Sequence, residues 1–134
     1  MSAPYNPSPL VYGGQLYVLL DRGFLAAYDA ATGREIYAKH RIDVGTAAFT
    51  ASPWASDGKI FCLTESGTTC VIAAGPKFEL LGTNELEDSA LATPAIVGDR
   101  LLIRTAGKLW CIRSTQKQGF EDSVMKLPFS SSSN

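Results

Sequence analysis

The sequence predicts an all-β chain of repeated four-stranded antiparallel sheets, and three observations carry that expectation. Three segments align, each opening on a hydroxyl residue and a proline: Ser8-Pro9, Ser52-Pro53 and Thr93-Pro94, with proline spacings of 44 and 41. A turn pair follows in each, Gly13-Gly14, Asp57-Gly58 or Gly98-Asp99. A second glycine stands 14, 14 and 13 positions after the proline, at Gly23, Gly67 and Gly107. A period of about 40 to 45 residues with several short strands in each unit fits the blade of a β-propeller.

Each element has a local reason. Proline lacks an N–H, which is tolerable at the first position of a strand. The turn pairs suit two-residue hairpins, whose positive φ angles glycine and aspartate adopt readily. The second strands, Leu16 to Leu20, Ile60 to Thr64 and Leu101 to Thr105, are rich in branched and aromatic residues. They end in turns at Arg22-Gly23, Ser66-Gly67 and Ala106-Gly107. Third strands follow at Phe24 to Asp29, Thr68 to Ala73 and Lys108 to Arg113. Their apolar runs are nearly continuous rather than alternating, which implies that both faces are covered. Outer strands are expected at Arg34 to Lys39 and Lys77 to Gly82, more charged as edges should be.

The organisation read from these signals is an extension over 1–7, blades over 8–51 and 52–92, an incomplete blade over 93–113 and a tail over 114–134. Either the Met1 to Ser8 end or Ser123 to Phe129 of the tail is expected to pair in the last blade, and Ser130 to Asn134 to be disordered. His40 to Ala51 and Thr83 to Ala92 read as connectors, with a short helical turn expected over Asn84 to Asp88.

Composition excludes several function classes. Twelve Lys and Arg against thirteen Asp and Glu leave a net charge of −1, so no basic excess faces a nucleic acid. No apolar run reaches the roughly 18 residues of a membrane span. Met1 to Ser8 has no signal-peptide pattern. Three cysteines, Cys62, Cys70 and Cys111, are not a disulfide framework and read as buried thiols. A two-residue turn at Ser66-Gly67 would set Cys62 opposite Val71 and Cys70 opposite Leu63, with the sulfurs on opposite faces; a longer turn would change that. His40, the one histidine, reads as a solvent-facing residue at a strand end. Neither a zinc set nor a Ser-His-acid triad can be assembled around it. No catalytic, cofactor-binding or metal-binding residue is assigned.

The run Ala27-Tyr28-Asp29-Ala30-Ala31-Thr32-Gly33-Arg34-Glu35-Ile36-Tyr37 resembles the Ala-x-Asp-x-x-Thr-Gly-x-x-x-Trp motif of PQQ-like, quinoprotein-type propeller repeats, with Tyr37 in the tryptophan's place. The resemblance covers about residues 8 to 113 and fades in the second unit, Ala74-Gly75-Pro76-Lys77-Phe78, and the third, Arg113-Ser114-Thr115-Gln116. It implies a structural role for Ala27, Asp29, Thr32, Gly33 and Tyr37, with the aromatic packing on a neighbouring blade. The family includes dehydrogenases that hold pyrroloquinoline quinone over calcium with a vicinal disulfide. Here no two cysteines are adjacent, and Glu85, Glu87 and Asp88 read as a solvated loop. Other members are envelope scaffolds that bind proteins, which implies a periplasmic or cell-envelope setting.

The expected function is therefore a non-catalytic binding or structural scaffold without a cofactor, partnered by protein or by other blades. The alternative is a fragment of a quinone-dependent oxidoreductase whose catalytic residues lie elsewhere. Tyr12 and Trp54, on or beside innermost strands, either pack between blades or reach a central opening toward a partner. Three units are too few to close a ring. If an end face leaves roughly 500 Å² of apolar surface bare, covering it gains at most about 12 kcal/mol. Self-association is the expectation that follows.

Overall fold

The computed structural model describes residues 3–42, 45 and 48–113. The strands are β1 (Leu10–Tyr12), β2 (Gln15–Leu20), β3 (Phe24–Asp29), β4 (Glu35–Arg41), β5 (Trp54–Ser56), β6 (Lys59–Leu63), β7 (Thr68–Ala73), β8 (Leu80–Glu85), β9 (Ala95–Val97), β10 (Arg100–Arg104) and β11 (Leu109–Arg113). They form three antiparallel meanders: β1-β2-β3-β4 (sheet I), β5-β6-β7-β8 (sheet II) and β9-β10-β11 (sheet III). The expectations for Ser114 to Asn134, including a pairing strand at Ser123 to Phe129, lie outside the described residues, and residues 3–8 at the other end form no strand.

The two-residue hairpins form where the turn pairs stand: Tyr12 pairs Gln15, Ser56 pairs Lys59 and Val97 pairs Arg100. Asp57 and Gly58 both hold positive φ, 49° and 69°, so the backbone twist of the turn matches that of its strands. The second turn is not uniform. Gly23 and Gly67 donate to Leu20 and Thr64, closing three-residue loops in sheets I and II. Thr105 instead donates to Lys108, a two-residue loop in sheet III. The 13-residue spacing to Gly107 is this deletion.

Loop length decides the cysteine register. Cys62 lies directly opposite Cys70, not opposite Val71, because the loop has three residues rather than two. The thiols therefore share one face of sheet II, and neither is in a disulfide. Cys111 is only half-buried. Two further expectations are corrected. The outer strand of the second unit starts at Leu80 rather than Lys77, because the chain bends over Gly75 to Lys77 and the Ala73 amide closes the loop on the Glu79 carbonyl. Asn84 and Glu85 end that strand and Glu87-Asp88 bends, with Glu87 at φ 53°, so no helical turn forms over Asn84 to Asp88.

Two hydrophobic seams hold the sheets face to face. Tyr17, Leu19, Leu25, Ala27 and Tyr37 of sheet I pack with Ile60, Cys62, Cys70 and Ile72 of sheet II, closed by Ile42 and Phe49 from the connector. On the other side of sheet II, Trp54, Phe61 and Leu63 pack with Leu101, Ile103, Trp110 and Ile112 of sheet III. Alternate residues of β6 thus enter opposite seams, as a pleated strand requires. Sheets I and II meet at their first strands, β1 and β5.

Candidate functional site

The motif residues build a turn and one wall of a seam. Asp29 Oδ1 accepts the Thr32 hydroxyl at 2.8 Å, the Thr32 amide at 2.8 Å and the Ala31 amide at 3.1 Å. The Gly33 amide donates to the Asp29 carbonyl at 2.8 Å. The Thr32 hydroxyl, followed by its amide, holds the Asp29 carboxyl below the usual carboxylate range. That oxygen therefore serves the local turn. Ala27 pairs Tyr37 across β3 and β4, and both point into the seam between sheets I and II. The Tyr37 ring meets Phe78 of the second unit edge-on at 6.3 Å. Its hydroxyl is buried without a hydrogen-bond partner among the described residues. His40 is exposed on β4 and stacks on Phe78 at 5.1 Å.

Tyr12 and Trp54 each belong to a seam. The Tyr12 hydroxyl accepts the Gly58 amide at 2.9 Å, tying the first sheet to the second sheet's hairpin. Trp54 is 8% exposed and stacks on Phe61 at 5.4 Å. Tyr17, not singled out from sequence, does for the outer part of the sheet what Tyr12 does for the inner. Its hydroxyl donates to Gln15 at 2.8 Å and accepts the Gly75 amide at 3.0 Å. No sequence signal separates Tyr17 from other strand aromatics.

The hydroxyl-proline signal did carry a second meaning. The Ser8 amide donates to Ser52 Oγ and the Ser52 amide donates to Thr93 Oγ1, each at 2.9 Å and across separations of 44 and 41 residues. Each unit thus grips the hydroxyl of the next. The connectors repeat a second pattern. Ile42 and Leu86 donate to the carbonyls of Gly23 and Gly67, and Phe49 and Ala90 to those of Asp21 and Glu65. Glu65 and Ala106 of the following turns donate back to Ala48 and Ser89. Each connector is therefore stitched to the turn it leaves and the turn it enters.

The acidic residues of the second connector do not converge. Glu85 is exposed at the end of β8 and Glu87 is exposed on the bend. Asp88 Oδ2 accepts the Gly107 amide at 3.0 Å, and the Thr105 hydroxyl and that amide hold its carboxyl below the usual range. Among the described residues no three His, Cys, Asp or Glu side chains gather as a metal site. No helix among them is long and apolar enough to cross a membrane.

Solved structures share this arrangement. BamB from Moraxella catarrhalis superposes with a TM-score of 0.55 at 18% identity, over 72% of this chain and 29% of that one. The sheets are β-propeller blades. The computationally designed Ika8 protein matches with a TM-score of 0.56 at 16% identity, over 78% of this chain and 32% of its own. Quinohemoprotein alcohol dehydrogenase from Comamonas testosteroni matches with a TM-score of 0.56 at 15% identity, over 75% of this chain and 17% of the enzyme. The chain spans under a third of the BamB and alcohol dehydrogenase chains. At these identities the likeness shows the propeller fold alone. No protein-family model matches the chain, and no curated protein sequence matches it.

The first propeller blade, sheet I, leaves one face turned away from blade 2. Leu16, Val18, Ala26 and Tyr28 lie on it, and the exposed Val11 pairs Leu16 at its inner end. Leu16 and Val18 stand where blade 2 has Ile60 and Cys62 and blade 3 has Leu101 and Ile103. Those four residues all pack against the preceding blade.

Proposed function

We propose that the chain is a non-catalytic scaffold segment of a β-propeller, partnered by protein and joined to further blades through its end faces. The observation that carries this reading is the outer face of blade 1. Its Leu16 and Val18 occupy the positions at which blades 2 and 3 receive a preceding blade. The hydrogen-bonding supports it too. Asp29, Thr32, Tyr12, Tyr17, Ser52 and Asp88 all hold turns or join blades. The propeller likeness to BamB and the motif around Asp29 favour a cell-envelope setting. The reading assigns the chain no cofactor of its own.

The likeness to a quinohemoprotein alcohol dehydrogenase and to a europium-containing methanol dehydrogenase, the latter at 18% identity, supports the alternative of an oxidoreductase fragment. Its ligands and catalytic groups would come from other blades. Titration of the whole propeller that contains this segment with pyrroloquinoline quinone and calcium, followed through tryptophan fluorescence, separates the readings. The scaffold reading expects no saturable quenching and no dye-linked alcohol oxidation. Saturable, calcium-dependent quenching would overturn it.

A further inference from the structure

The two seams are built from matching repeat positions. Leu19 faces the seam that holds Cys62, and Leu63 faces the seam that holds Ile103. Leu19 and Leu63 are both 0% exposed. Counting along the repeat, the third member of the Leu19 and Leu63 series is Arg104. It is exposed and pairs Leu109 on the face of blade 3 turned away from blade 2. Leu102 and Cys111 pair beside it, with Arg100 and Arg113 at the far end. Arg100 and Arg113 share the carboxylate of Asp99. Arg104 has no carboxylate partner among the described residues.

We propose that the outer face of blade 3 docks a further blade of this repeat that carries an Asp or Glu at the position of Cys62 and Ile103, and that Arg104 selects it. The inference rests on the reading of the end faces as blade seats. In that seat Arg104 would be as covered as Leu19 and Leu63. An unpaired guanidinium is unfavourable there, whereas a carboxylate meets its planar fork with two hydrogen bonds. A second copy of this chain offers Val18 at the corresponding position, so it would leave the charge unmatched. Arg104 therefore opposes the self-association that the repeat count alone points to, and mismatch of this kind is how specific interfaces reject wrong partners.

A charge placed on the chain's own first blade tests this. Val18→Glu puts a carboxylate on the outer face of blade 1, outside both described seams, so each copy offers Arg104 an acidic seat on another. Sedimentation velocity should show Val18→Glu self-associating about tenfold or more tightly than the wild-type chain, with the gain lost at high salt. Val18→Gln and the double variant Val18→Glu/Arg104→Glu should associate no more tightly than the wild type. Circular dichroism establishes that each variant is folded. Arg104→Leu is a surface change that does not depend on tolerance at Val18, and by restoring the Leu19 pattern it should also tighten self-association. The proposal is overturned if folded Val18→Glu associates no more tightly than wild type, if the double variant associates as Val18→Glu does, or if Arg104→Leu leaves association unchanged. Quinone binding would instead sink the scaffold reading while leaving these outcomes measurable.

Discussion

The amide of Ser52 donates to the hydroxyl of Thr93 in the next blade, and one unit earlier the Ser52 hydroxyl receives the amide of Ser8. Each hydroxyl-proline pair therefore both opens a strand and clasps its neighbour. Ser52→Ala should cost about 1 kcal/mol, the net worth of one such bond. Thr93→Val, which keeps the shape, should cost a similar amount. Urea unfolding of each variant measures it, and amide exchange should accelerate at Ser8 in the first and at Ser52 in the second.

Gly67 closes its loop at φ 89°, and a Cβ there would collide with the Asp88 backbone carbonyl. The neighbour is backbone tied on both sides, by Leu86 to Gly67 and by Ala106 to Ser89, so it cannot move aside locally. Gly67→Ala should destabilise by about 3 kcal/mol or more, combining left-handed strain with the clash. Gly13→Ala, where the position is open, should cost only about 1 kcal/mol. Thermal melts of the two variants make the comparison.

Tyr37 presents a second asymmetry. Its ring is wedged between blades, while its hydroxyl is buried and unpaired among the described residues. Tyr37→Phe should be neutral or stabilising by up to about 1 kcal/mol, since it removes an unsatisfied polar atom. Tyr37→Ala should lose about 3 to 5 kcal/mol, as large aromatic truncations do. Chemical denaturation separates the contribution of the ring from that of the hydroxyl.

Asp29 and Asp88 contribute to the acid response, together with Asp21, whose carboxylate accepts the Tyr5 and Asn6 amides. The Thr32 hydroxyl lowers the first and the Thr105 hydroxyl the second, each below the ordinary 3.8. A carboxylate whose folded pKa is lowered contributes stability above its unfolded pKa and loses it as pH falls through the folded value. Stability should therefore hold at pH 5 to 7 and decline below about pH 4. Replacing Asp29 and Asp88 with Asn should shrink that decline, with the part due to Asp21 remaining, as read from melting temperature against pH.

The thiols should divide by environment. Burial pushes Cys70 up to about 11 and Cys62 further, so neither supplies thiolate near neutral pH. Cys111 is half-buried on the outer face of blade 3. A chromogenic disulfide reagent at pH 8 should titrate one thiol in the folded chain, at Cys111, and three in urea. Mass mapping of the labelled cysteine checks the assignment.

The amino-acid sequence by itself determined the repeat, the strands and the paired turns. These rest on local chemistry: proline at strand starts, glycine or aspartate where φ is positive, branched residues between. Phe24 to Asp29 and Thr68 to Ala73 were legible to the residue for that reason. The Asp29 turn was legible as a motif, because its bonds join residues within a few positions. Only the tertiary structure decided what joins one blade to another. One extra residue in the Glu65 to Gly67 loop brought Cys62 face to face with Cys70, and backbone closure, not composition, sets such a register. The Ser8 to Ser52 clasp, the reach of Tyr17 to Gly75 and the exposure of Arg104 where Leu19 and Leu63 are buried all depend on how sheets stack. Periodicity shows that a strand is covered on both faces; the stacking of whole sheets assigns each face its neighbour.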